Sequence, residues 1–195
     1  MRRRPLRFDL IAGKVCLDFV NTLDDRYTKP KELLETYIDL VRFGEVTGVL
    51  DSRQVDRLFE RGQADPDRAQ KVLGWARELR EAIHDVFRAL MDKSPVPPAP
   101  LARLNAYIQG AMVHLRLVAV KSGFEWTFGD FGELDSVLWP IARSAAELLA
   151  RPSLVVGEVL AAAAEAPPHR RSRRSPTYPS WPSPPPVGAS GPSPT

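Results

Sequence analysis

Between Asp65 and about Lys93, the residues Ala69, Val72, Leu73, Ala76, Leu79, Ile83, Val86, Phe87 and Leu90 recur close to every 3.6 positions. That period puts them on one stripe of an α-helix. Asp65 is a good N-cap, and Pro66 suits the first helical position, where a missing N–H costs nothing. At a rise of about 1.5 Å per residue the helix spans roughly 40 Å. A rod of that length, apolar along one face, has to be the spine of a domain. The run SPVPPAP (Ser94–Pro100) ends it, because repeated proline cannot continue a helix.

The other elements arrange themselves around this spine. Lys31 to Leu50 reads as a helix with Leu33, Leu34, Tyr37, Leu40 and Val41 on one stripe, broken at Gly48. Asp51 or Ser52 can cap a short helix through Glu60, which Gly62 is expected to terminate. Phe8 to Val20 suits a strand or short hairpin turning at Ala12-Gly13. It equally suits a strand running into a helix from Leu17, and periodicity does not separate the two. Leu101 to Met112 is a helix with Leu104 and Ile108 inward. Val113, Leu115, Leu117 and Ala119 then alternate with His114, Arg116 and Val118. Lys121-Ser122-Gly123 turns the chain, and Phe124, Trp126 and Phe128 alternate on the return, the signature of a β-hairpin. Its aromatics are expected to face inward onto the helices rather than to form a base-stacking platform. A last helix covers Leu134 to Ala150, bent or restarted at Pro140, and Leu154 to Ala164 suits one more short helix. The fold class is α+β: a mostly helical single domain, residues 8–166, with a long central helix and a β-hairpin.

Charge and composition bound the partners. Arg2, Arg3, Arg4 and Arg7 make a basic N-terminal extension, residues 1–7, and Arg170, Arg171, Arg173 and Arg174 cluster near the end. Removing these eight from the 27 basic residues leaves 19 against 24 acidic ones, so the body is acidic by about five charges. Such a body is not itself an obvious nucleic-acid surface. Ten of the 19 prolines fall between Pro167 and Pro194, with almost no aliphatic residue. That segment, residues 167–195, is expected to be a disordered tail, because it cannot bury enough apolar surface to offset its ordering entropy. Its four arginines can hold phosphates weakly and without reading bases, so nucleic-acid binding there would be salt-sensitive and non-specific. No apolar run approaches the ~18 residues of a membrane helix, and the arginine-rich start lacks the apolar core of a secretory signal. A cytoplasmic protein with no membrane partner is the expectation. The one cysteine, Cys16, excludes an internal disulfide and a cysteine-based zinc cluster within this sequence.

The stretch GKVCLDFVNTLDDR (Gly13–Arg26) packs an apolar run against the polar cluster Asp18, Asn21, Thr22, Asp24, Asp25 and Arg26. Its centre, LDFVNT (Leu17–Thr22), resembles the leading motif of the ABATE domain of bacterial stress-induced transcription regulators. ELLETYIDLVRF (Glu32–Phe43), ARELREAI (Ala76–Ile83) and SAAELL (Ser144–Leu149) support the likeness, which covers roughly Phe8 to Ala150. The resemblance implies a regulatory domain that senses or binds something while a following zinc finger with a Cys-Gly-Asn-Arg motif engages DNA. With a single cysteine, that finger is expected to be missing here. Runs of Pro, Arg, Ser, Ala and Gly are what an out-of-frame GC-rich gene encodes, and a frameshifted or degenerate C-terminus is one expectation for the tail.

Enzyme signatures are absent: there is no GxSxG elbow, HExxH, phosphate-binding glycine loop or dinucleotide fingerprint. AGK (Ala12–Lys14) lacks both the first glycine and the Ser or Thr that a P-loop requires. Neither an enzyme nor a cofactor is expected. Asp18, Asn21, Arg26 and Arg80 are the candidate ligand-binding residues, since a carboxylate, an amide and two guanidinium groups could line a pocket for an anionic or zwitterionic ligand. The structural alternative is that Asp18 and Asn21 bond backbone groups at a chain reversal while Arg80 closes an ion pair. Cys16 reads as a small core residue, and His84 as part of a positive stripe with Arg77, Arg80 and Arg88. The partner is then an unknown small molecule or protein. The runner-up function is an interaction module that forms a homodimer, recognisable by an exposed apolar patch.

Overall fold

A computed structural model describes residues 8–129 and 131–151. The basic N-terminal extension, the Leu154–Ala164 helix and the proline-rich tail with its arginines lie outside the described residues. Those described form six helices and two small antiparallel hairpins: α1 (Val15–Val20), β1 (Leu23–Asp24), β2 (Lys31–Glu32), α2 (Tyr37–Val46), α3 (Ser52–Ala64), α4 (Pro66–Met91), α5 (Pro98–Met112), β3 (Leu115–Val120), β4 (Gly123–Phe128) and α6 (Leu138–Leu149).

The spine is where periodicity places it. In α4, Asp65 accepts from the Arg68 N–H at 3.0 Å and Pro66 takes the first turn. This helix touches α1, α2, α3, α5 and α6, so every other helix among the described residues packs on it. Ala76, Leu79 and Ile83 are fully buried in the resulting core with Phe19, Leu40, Phe43 and Ile141.

Several boundaries move for identifiable reasons. The expected helix from Lys31 starts only at Tyr37, because Thr36 and Asp39 form a reciprocal capping box that satisfies two orphan N–H groups there. Leu33 and Leu34 precede it as an extended segment, with Leu34 still in the core. Gly48 does sit just past α2, at φ +70°. Gly62 does not terminate α3. It lies within the helix, where an added Cβ would stand 2.8 Å from the Tyr37 ring. At the N-terminus the helical alternative holds from Val15, and residues 8–12 form no strand. The small β1–β2 ladder lies further along, at Leu23–Asp24 and Lys31–Glu32. Pro140 neither bends nor restarts a helix: α6 begins at Leu138, so the proline occupies its first turn, where no N–H is needed.

Candidate functional site

The hairpin turn between β1 and β2 lies against one face of α4. Thr28 and Asp25 bond side chain to side chain inside that turn, and Asp25 takes a left-handed φ of 49°. The turn presents Arg26 and Tyr27, and Glu32 follows on the return strand. Residues 77, 80, 81, 84 and 88 of α4 meet this segment at helical spacing.

Arg80 is the centre of the arrangement. Only 4% of its side chain is exposed. Its two Nη atoms donate to the two Glu32 oxygens, each at 2.7 Å, and Nη1 also reaches Thr22 Oγ1 at 3.2 Å. Its Nε donates to Glu81 at 3.1 Å, and Arg26 closes on the same carboxylate from the turn. Arg77 adds a bond to the Leu34 carbonyl at 2.8 Å. Burial by itself would raise the Glu32 and Glu81 pKa values; Arg80, the Leu34 N–H and Arg77 outweigh it at Glu32, Arg26 and then Arg80 outweigh it at Glu81, and both carboxyls lie below their ordinary range. The guanidinium of Arg80 thus bonds two carboxylates and a hydroxyl, the geometry of a lock between the turn and the spine.

The four candidate ligand residues do not converge. Arg26 and Arg80 meet through Glu81. Asp18 is buried on α1, where its Oδ1 accepts from the Ala12 N–H at 3.0 Å and holds the entry segment in place. Asn21 is the C-cap residue of α1 and exposed. The carboxylates Glu32 and Glu81 and the hydroxyl of Thr22 were not singled out from sequence. The signal available was electrostatic: an arginine on the core stripe of a helix needs carboxylate partners, and Glu81 is its immediate neighbour.

The stripe of Arg77, Arg80, His84 and Arg88 is therefore not a free positive face. His84 Nε2 lies 2.9 Å from the Tyr27 hydroxyl and its Nδ1 lies 2.9 Å from Asp85, while Arg88 stacks over the Tyr27 ring and bonds Asp92 at 2.7 Å. Cys16 is fully buried, as a core residue should be, and desolvation pushes its thiol up to about 12. Among the described residues, no group of three or more His, Cys, Asp or Glu side chains could hold a metal, and no helix is long and apolar enough to cross a membrane.

The β3–β4 arm departs most from expectation. Its register pairs Leu115 with Phe128, Leu117 with Trp126 and Ala119 with Phe124, so all six share a face. Gly129 N–H donates to the His114 carbonyl at 2.8 Å, which makes 116·127 and 118·125 the hydrogen-bonded pairs. Leu117·Trp126 and Ala119·Phe124 are then non-hydrogen-bonded pairs, whose side chains stand closest. Only the foot of this face is covered: Phe128 packs on Trp139 and Phe131, and His114 stacks on Trp139 at 3.7 Å. Further out, Phe124 is 72% exposed, Trp126 51% and Leu117 52%. The expected inward face is thus buried at Phe128 and half-buried at Leu115, which packs against the core, while the outer residues are left exposed. A pocket of about 80 Å³ lined by Trp75, Tyr107, Gly110, Asp135, Leu138 and Trp139 shares Trp139 with the foot of the arm and lies where α4, α5 and the start of α6 meet.

Fold and surface together define a helix-rich α+β domain with a buried arginine–carboxylate network and an exposed apolar arm. The sequence model of the ABATE family, described as a putative stress-induced transcription regulator, matches residues 13–152. The chain belongs to this family, whose description is that of a regulator and not of an enzyme. Neither a curated protein nor a solved structure matches it.

Proposed function

We propose that this chain is a partner-binding regulatory domain of a stress-responsive transcription regulator, acting in the cytoplasm and engaging its partner through the β3–β4 arm. The observation that carries this reading is the exposure of Phe124, Trp126 and Leu117 on one unbroken face. Exposed contiguous apolar surface on a soluble domain marks an interaction site, and aromatic side chains dominate such contacts. The acidic body gives no support for direct duplex contact by the domain, and the one cysteine of this sequence is buried in α1, out of reach of a zinc cluster. Any phosphate contact in this reading falls to Arg170, Arg171, Arg173 and Arg174, and is weak and salt-sensitive.

The small-ligand reading of Asp18, Asn21, Arg26 and Arg80 is the weaker one. An anion reaching Arg80 has to displace a bidentate Glu32, and Asp18 already holds a backbone N–H.

Transcript profiling under stress tests the proposal in a host carrying wild type, a deletion, or the double substitution Phe124→Ser/Trp126→Ser. The double variant is expected to reproduce the deletion profile while its purified domain melts like wild type. A deletion profile identical to wild type overturns the regulatory role, and a wild-type profile from the double variant overturns the role of the arm.

A further inference from the structure

We propose that the pocket between α4, α5 and the start of α6 binds a small methylated ammonium ion, through its aromatic walls and the carboxylate of Asp135. Trp75 from α4, Tyr107 from α5 and Trp139 from α6 bring three aromatic side chains to one space. An aromatic ring is electron-rich over its faces, so several rings around one space attract a cation, and methyl groups on that cation gain by leaving water against them. Besides Tyr107, α5 contributes only the small residues Ala106, Gly110 and Ala111, and a Cβ added at Gly110 would meet nothing within 4 Å. Small residues opposite large rings keep the space open.

The charge of the lining selects the ligand. Asp135 is half-buried, and its carboxylate has no ion pair or hydrogen bond among the described residues. Glu133, two positions away, already pairs with Arg68 at 3.8 Å. A second carboxylate, Glu78, accepts from the Tyr107 hydroxyl at 3.3 Å. Burial and then the Glu78 charge hold that hydroxyl above its ordinary range, against the weaker opposing charge of Arg103. An anion would meet these carboxylates, and a neutral apolar ligand would cover Asp135 without giving it a partner, at a desolvation cost. An inorganic cation needs several oxygen ligands, which rings, alanines and Leu138 do not supply. A cation with apolar substituents satisfies both halves of the lining. The volume of about 80 Å³ is roughly half that of a cavity that holds benzene, which suits a trimethylammonium head with any longer substituent left in solvent. His114 stacks on Trp139 at 3.7 Å and Phe128 packs on it at 6.1 Å, so this wall is in place before a ligand arrives. The site lies apart from the exposed face of the arm and stands whether or not that face engages a partner.

Isothermal titration calorimetry on the full chain tests the inference. The probes are tetramethylammonium chloride and choline chloride, compared with sodium chloride at the same ionic strength and with dimethylbutanol, the uncharged carbon isostere of choline. Both organic cations are expected to bind in the millimolar range or tighter, and the alcohol at least about tenfold more weakly. Trp75→Leu and, separately, Asp135→Asn are expected to weaken choline binding more than about tenfold, with melting temperatures unchanged. Phe124→Ser/Trp126→Ser is expected to bind choline like wild type, because neither residue lines the pocket. No binding of either organic cation at tens of millimolar overturns the site, and equal affinity for the alcohol overturns the ligand class. Binding that both pocket variants leave intact, or that disappears with the arm's aromatics, overturns the location.

Discussion

Arg80 and Glu32 face each other through two parallel N–H···O bonds of 2.7 Å, joining the middle of the long helix to the strand that leaves the first hairpin. The pair is 48 residues apart in sequence, so it ties the N-terminal segment to the spine across a long stretch of chain. Glu81 extends it to Arg26 and Thr22 caps its inner side. A planar five-donor fork is the group that can serve two carboxylates and a hydroxyl at once.

Arg80→Ala leaves Glu32 without its bidentate partner and opens the seam between turn and spine. Removing one member of a buried ion pair costs about 3–5 kcal/mol, and Glu32 is still 27% exposed, so a loss near about 3 kcal/mol is expected. Arg80→Lys recovers only part of it, because a point charge cannot hold Glu32 and Glu81 together. Urea denaturation checks both. A midpoint unchanged in Arg80→Ala would falsify the lock.

Acid should unlock the same seam. Glu32 and Glu81 have folded-state pKa values below the ordinary 4.5. A depressed carboxyl contributes stability that is fully present above the unfolded value and is lost as pH falls toward the folded one. Stability is therefore expected to hold from neutral pH down to about 4.5 and to fall below it. Glu32→Gln is expected to start lower and fall less steeply, as read by denaturation at a series of pH values.

Cys16 should be inert in the native protein. Its thiol is completely buried and its pKa stands at about 12, pushed there by desolvation and offset only in part by the Ser144 hydroxyl. Labelling with a disulfide reagent at neutral pH is expected to proceed only in step with unfolding. Rapid labelling of the folded chain would show that α1 opens on its own.

Two glycines should respond in opposite senses to alanine. Gly62 lies against Tyr37, whose ring is buried and whose hydroxyl donates to the Leu134 carbonyl at 2.9 Å. A methyl group there forces a pinned ring aside, and Gly62→Ala is expected to destabilise by about 1–3 kcal/mol. Gly74, on the solvent side of α4, has no neighbour within 4 Å of an added Cβ. Gly74→Ala is expected to stabilise by up to about 1 kcal/mol through helix propensity. Thermal melts of the two variants decide it.

What could be read in the sequence alone was the local part of this protein. The spine followed from a 3.6 period with a cap and a proline in the right places. The arm's two strands followed from alternation around Lys121-Ser122-Gly123, and the family match over residues 13–152 bears out the likeness carried by LDFVNT. Each of these signals involves residues close along the chain, where backbone geometry ties spacing to direction. The tertiary structure decided the rest. It paired Arg80 with Glu32 and Glu81, separated Asp18 and Asn21 from that network, turned Gly62 from a helix stop into a contact, and left Phe124 and Trp126 in solvent. Alternation shows that two aromatics share a face, but what covers that face depends on which distant element reaches it. Here Trp139 of α6 meets Phe128 at the foot of the arm, while Phe124 and Trp126 stay exposed.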